Sequence, residues 1–156
     1  MKDDIITLAN LLNELDYKLV SAESITAGLF GARICEVNGA SKFYEGGVIV
    51  YSPQMKIDLL KVDENIINTY GVVSPECVEA MTSNVQALFN ADVAVAFSGN
   101  AGPTSLENKP VGLVYIGIKI KDEQVKIYEL HLKGARNVIR KQCVEAGINY
   151  LIHLLQ

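Results

Sequence analysis

Residues 93–103 read VAVAFSGNAGP. The run from Val93 to Phe97 is apolar at every position, without the alternation of a half-exposed strand. Such a run describes a strand covered on both faces, as in a parallel sheet flanked by helices. It ends in small residues and a proline, Ser98 to Pro103, which force a loop. Downstream, VGLVYIGIKI and QVKIYELHL form a hairpin turning at Asp122 and Glu123, so this strand also has antiparallel company. Upstream, Ser74-Pro75-Glu76 is a helix start: a capping hydroxyl, a proline in the first turn, and an acid that complements the dipole. Cys77, Met81, Val85 and Leu88 line one face of that helix.

The outer parts of the chain complete the alternation. Ile5, Leu8, Leu12 and Leu15 recur at helical spacing, and KLVSAES from Lys18 reads as a short strand. A second helix follows Gly28, in LFGARICEV. FYEGGVIVY ends at Tyr51 as a strand whose Gly46-Gly47 pair predicts a bend or bulge. Short helices run from Pro53 through Leu60 and over DENIINTY, and a last helix places Ile139, Cys143, Ala146, Tyr150 and Leu154 on one stripe. Strands alternating with helices, then one hairpin, predict an α/β three-layer α/β/α sandwich with a mixed, mostly parallel sheet, as one domain over residues 1–156.

Composition narrows the function. The chain has 156 residues, 49% hydrophobic and 21% charged, with a net charge of −4. For this mass a compact fold exposes about 7,700 Å² and buries about two-thirds of the unfolded surface, so no metal or disulfide staple is needed. The acidic balance and the absence of Trp argue against a nucleic-acid binder. No apolar run is long enough to span a bilayer, and the acidic, amphipathic N-terminus is unlike a signal peptide. Cys35, Cys77 and Cys143 are odd in number, far apart and set in helical patterns. This spacing predicts buried free thiols and a cytoplasmic location. His131 and His153 stand apart, so no metal site and no cofactor are expected.

Three strand-end regions hold candidate chemistry, because ligands of open α/β sheets collect beyond the carboxyl ends of strands. In AESITAG, residues 22–28, Ser24, Thr26 and the free amides of the following helix suit an anion; helix capping by Ser24 or Thr26 is the plainer alternative. In SGNAGP the small residues allow close backbone approach to a ligand, or simply make a turn. Ser41, Tyr51 and Lys56 form a set for amide hydrolysis, with Ser attacking, a neutral Lys taking its proton and Tyr relaying it. On residue pattern alone these three are better described as scattered polar residues on a surface. Arg136 and Arg140 share one helix face and suit a phosphate, or solvent.

AESITAG, FYEGGVIVYSPQMK, GVVSPE, SGNAGP, KPVGLVYIGI and GARNVIRKQ occur in one order. In this the chain resembles the CinA C-terminal domain family, which includes the stand-alone nicotinamide-nucleotide amidases. The resemblance runs from about Val20 to the end of the chain. It implies hydrolysis of the carboxamide of nicotinamide mononucleotide (NMN) to nicotinate mononucleotide and ammonia. Catalysis would fall to Ser41, Tyr51 and Lys56. Ser24, Thr26, Gly28, Ser98, Gly99, Gly102, Arg136 and Arg140 would bind substrate. It further implies a homo-oligomer, and the chain length matches the amidase part without the nucleotide-hydrolase domain that precedes it in longer members. Ile25, Ala27, Asn100 and Ala135 depart from the family pattern, at positions where Cys, Gly, an aliphatic residue and Asp are usual. These departures motivate the alternative of a non-catalytic nucleotide-binding or interaction module.

Overall fold

The computed structural model describes residues 2–156. Six helices and five strands follow in the order α1 (Lys2–Leu15), β1 (Leu19–Glu23), α2 (Leu29–Ile34), β2 (Tyr44–Ile49), α3 (Pro53–Asp58), α4 (Glu64–Tyr70), α5 (Pro75–Phe89), β3 (Val93–Gly99), β4 (Leu113–Ile120), β5 (Lys126–His131) and α6 (Arg136–Leu155). The strand order is β2-β1-β3-β4-β5. β1 pairs in parallel with β2 and β3, whereas β3–β4 and β4–β5 are antiparallel. The sheet is therefore mixed, with its pairings divided evenly between the two kinds.

Strand side chains alternate between two cores. Leu19, Val93, Val95, Phe97, Val114, Ile116 and Ile118 face α1, α2 and α6. Val20, Ala22, Ala94, Ala96, Leu113 and Tyr115 face α5 and the segments around α3 and α4. The second face is built of smaller residues, so α5 lies close: a Cβ added at Gly117 would strike the Thr82 side chain. On the first face the Phe97 ring meets Phe30 at 5.1 Å between centroids. It also fills the space over Gly147 of α6, where a Cβ would stand 2.6 Å from the ring. The chain exposes 7779 Å².

Local expectations meet their structural outcomes at particular residues. Ser74 caps α5, its Oγ accepting from the Cys77 amide at 3.1 Å. The bulge lies at Glu45, where the β1–β2 register jumps from Tyr44 to Gly46. The buried stripe of α6 is Ile139, Cys143, Val144, Gly147, Ile148, Leu151 and Leu155. It is thus rotated from the expected stripe, leaving Ala146, Tyr150 and Leu154 half-buried. Leu88 is exposed rather than buried, and so is Cys35, because α2 ends one residue before it. All three cysteines are free. Among the described residues no helix is long and apolar enough to cross a membrane.

α6 begins at the same edge of the sheet as the carboxyl ends of β1, β2 and β3. Its N-cap is Ala135, which offers no side-chain hydrogen bond. Ala135→Asp is expected to satisfy a first-turn amide and to raise unfolding free energy by about 1 kcal/mol, read by denaturant titration.

Candidate functional site

Parallel pairing of β1 with both neighbours brings three strand ends together. Two ladder-type bonds continue past β1: the Ser24 amide donates to the Phe97 carbonyl at 3.1 Å, and the Val50 amide donates to the Glu23 carbonyl at 2.9 Å. A cleft of about 500 Å³ opens beyond these ends, lined by Ser24, Ile25, Tyr51, Lys56, Ser98–Pro103, Glu107 and Arg136 among others. This is the crevice position expected of an open α/β sheet.

Lys56 is at its floor. Ser52 caps α3 and Pro53 opens it, which points Lys56 back under the strand ends at 1% exposure. Its Nζ donates to Ser24 Oγ at 2.9 Å, to the Val50 carbonyl at 2.8 Å and to the Tyr51 carbonyl at 3.3 Å. Desolvation holds its pKa below the ordinary 10.5, against weaker opposing pulls from Cys77 and Glu107. Burial likewise pushes the neighbouring Cys77 thiol up to about 11, so that group is neutral at ordinary pH. Three oxygen partners suit both forms of the amine. The ammonium donates three hydrogen bonds, whereas the neutral amine donates two and accepts one from the serine hydroxyl.

The expected trio of Ser41, Tyr51 and Lys56 is corrected by this geometry. Ser41 lies in the 3-10 turn Ala40–Lys42, exposed, before β2 begins. Tyr51 follows the other end of β2, a strand about 20 Å long, so Ser41 and the cleft occupy opposite edges of the sheet. The serine beside Lys56 is Ser24. Tyr51 does join the site: its carbonyl holds Lys56, and its hydroxyl accepts from Arg136 Nη2 at 2.9 Å.

The expected substrate contacts divide. Ser24, Ser98, Gly99, Gly102 and Arg136 line the cleft; Thr26, Gly28 and Arg140 do not. The amides at the start of α2 are taken by the chain's own anion. Glu23 accepts from Gly28 at 3.1 Å, Phe30 at 2.9 Å and Gly31 at 3.1 Å. Neither Ser24 nor Thr26 caps that helix; Gly28 stands at its N-cap with φ 97°, a left-handed conformation suited to glycine. Arg140 donates through Nε to the Ile25 carbonyl and through Nη2 to the Thr26 carbonyl, both at 3.0 Å, clamping the loop that carries Ser24. Thr26 Oγ1 is buried without a partner among the described residues.

Ser98 Oγ donates to the Val72 carbonyl at 2.7 Å and so ties β3 to the approach of α5. Asn100 is buried and braces its loop, its side chain reaching the Lys109 carbonyl at 3.2 Å and the Gly102 amide at 3.3 Å. Arg136 Nη1 donates to the Gly102 carbonyl at 2.7 Å. Sequence reasoning passed over Glu23 and Glu107. An acid at the end of β1, five residues before the Gly28 N-cap, is the available signal for Glu23; nothing local marks Glu107.

Residues 5–155 match the family model described as the CinA C-terminal domain. Curated relatives bearing the name "Putative competence-damage inducible protein" include one from Lysinibacillus sphaericus, 40% identical over all of this chain and 38% of the relative. Another, from Halothermothrix orenii, is 41% identical over 96% of this chain and 36% of the relative. The chain spans little more than a third of the length of these relatives. A CinA superfamily protein of known structure from Klebsiella pneumoniae superposes with a TM-score of 0.95 at 28% identity, over 98% of this chain and 96% of that one. A competence/damage inducible protein from Agrobacterium tumefaciens gives 0.91 at 30% identity, over 99% and 96%.

The buried amine makes stability depend on pH in a definite direction. Lys56 has an ordinary affinity for protons when unfolded and a lower one when folded. Between the two pKa values the unfolded chain binds more protons, so stability rises with pH through that window, and the penalty is fully present below it. The stability difference between the wild type and Lys56→Met is expected to shift in the wild type's favour as pH climbs toward 10.5. Denaturant titrations of both proteins at a series of pH values check this.

Proposed function

The chain belongs to the CinA C-terminal domain family, and on that premise we propose that it is an amidohydrolase converting NMN and water to nicotinate mononucleotide and ammonia, with Ser24 as nucleophile and Lys56 as its base. The observation that carries this reading is the 2.9 Å contact between a buried, deprotonation-prone lysine and a serine that lines the strand-end cleft. A serine hydroxyl is a weak nucleophile until an adjacent base takes its proton, and a desolvated lysine is such a base.

In the proposed reaction Ser24 Oγ attacks the carboxamide carbon while Lys56 Nζ accepts the hydroxyl proton. The Ile25 and Thr26 amides follow the nucleophile directly and have no hydrogen-bond partner among the described residues, so they are the candidate donors to the developing oxyanion. Lys56 then returns the proton to the departing nitrogen and ammonia leaves. Water attacks the resulting ester while Lys56 takes its proton. As the C–O bond to Ser24 breaks, Lys56 returns that proton to Ser24 Oγ, releasing the acid product and restoring the hydroxyl and the neutral amine. Arg136 is the candidate partner for the phosphate. Arg140 is a positioning residue, because its guanidinium is occupied by the nucleophile loop.

An ammonia-release assay on NMN tests the proposal. Ser24→Ala is expected to lower kcat by about 10³-fold or more, whereas Ser41→Ala keeps wild-type turnover. Loss of activity in Ser41→Ala with retention in Ser24→Ala would reverse the assignment, and no ammonia from folded wild type would remove the proposed activity. Arg140→Ala is expected to lower kcat more than it raises KM, since it loosens the loop that aims Ser24.

A further inference from the structure

Glu107 is the one carboxylate among the described residues that line the cleft. It stands on the segment between β3 and β4 and is fastened from behind. Its Oε2 accepts from the Val72 amide at 2.8 Å, and its Oε1 accepts from the Val73 amide at 3.1 Å and Lys109 Nζ at 3.2 Å. Burial by itself raises the Glu107 carboxyl, but the two amides and Lys109 outweigh it and hold the group below the ordinary carboxylate range. A carboxylate offers about four acceptor directions; three are filled, and one stays open.

The counter-charge does not share the cleft. Lys109 does not line it and divides its ammonium between Glu107 and the Tyr70 and Val73 carbonyls. The lining bears two basic groups. Lys56 is biased by burial toward the neutral amine, and Arg136 sits at the start of α6. Much of the remaining wall is apolar, including Ile25, Val72, Ala101 and Leu106. The cleft thus presents a fixed anion and, apart from it, a cation; both residues reach solvent, so their pull on a ligand is partly screened and falls with salt.

We infer that Glu107 is a specificity-determining residue that selects aromatic carboxamides whose ring carries a positive charge, as an N-substituted pyridinium does, over neutral rings of the same shape. The inference rests on the proposed function only in seating the carboxamide at Ser24. A cationic ring gains from the carboxylate, whereas a neutral ring strips water from it without return. Free nicotinamide and rings reduced to the uncharged state are disfavoured for the same reason.

The test uses binding, not turnover, so its outcome is separate from that of the ammonia assay. 1-Methylnicotinamide and 3-methylbenzamide have the same outline and differ in ring charge. Their dissociation constants for the full chain are measured by ligand-observed NMR, with NMN as competitor. The wild type is expected to favour the cation by about tenfold. In Glu107→Gln the preference is expected to fall to within twofold of unity, the cation binding more weakly and 3-methylbenzamide binding no more weakly than to the wild type. A second measurement needs no variant: raising salt from 0.05 to 0.5 M is expected to shrink the wild-type preference. Equal affinities in the wild type, including no binding by either probe, overturn the inference. So do a preference that survives in Glu107→Gln, an equal loss of both probes in that variant, and a preference indifferent to salt.

Discussion

Two backbone hydrogen bonds past the end of β1, Ser24 to Phe97 and Val50 to Glu23, set the positions on which the cleft depends. The first holds Ser24 against β3, and the second holds the Val50 carbonyl against β1. That carbonyl and Ser24 Oγ are two of the three oxygens around Lys56 Nζ. The amine is thus located by the ladder of a parallel sheet rather than by an ion pair. Among the described residues no carboxylate hydrogen-bonds to it, so burial outweighs the weaker opposing pulls of Cys77 and Glu107 on its pKa.

The surroundings of Ser24 are held by charges that face inward. Glu23 fills the N-terminus of α2 with its own carboxylate, and Arg140 fills the carbonyls of Ile25 and Thr26 with its own guanidinium. A helix N-terminus attracts anions, and here the anion is internal. Charge-assisted hydrogen bonds of this kind are the strong ones, and here they fix the loop that carries Ser24. Arg136, whose partners among the described residues are Tyr51 and Gly102, lines the cleft.

Two departures from the family pattern acquire physical meaning. Ala27 adopts φ 45°, a left-handed conformation that favours the glycine usual there. Ala135 is the uncapped start of α6, where the usual Asp is a preferred N-cap residue. Both bear on stability at the rim of the site, and neither touches the Lys56–Ser24 pair.

The elements themselves were legible in the chain because each rests on local chemistry. The unbroken apolar run at 93–97 requires cover on both faces, Ser74-Pro75 starts a helix by its own capping, and the glycines after Tyr44 admit a bulge. Lys56 and Tyr51 follow β2 closely, and it is the family resemblance rather than their residue pattern that implies them as site residues. The serine that the resemblance implies beside them is Ser41, matched by type and spacing, and spacing along a strand does not report which edge of the sheet a residue occupies. Ser41 and Tyr51 flank β2 and are therefore held apart by its length. Ser24 is 32 residues from Lys56 in sequence and reaches it only because β1 and β2 run parallel and end together. The same holds for Arg140, whose partners at Ile25 and Thr26 lie over a hundred residues away, and for Glu107, whose amide partners at Val72 and Val73 come from another loop. Periodicity and capping act within a few residues and are written in the local chain. Pairings across the sheet edge are decided by strand direction, which only the folded chain possesses.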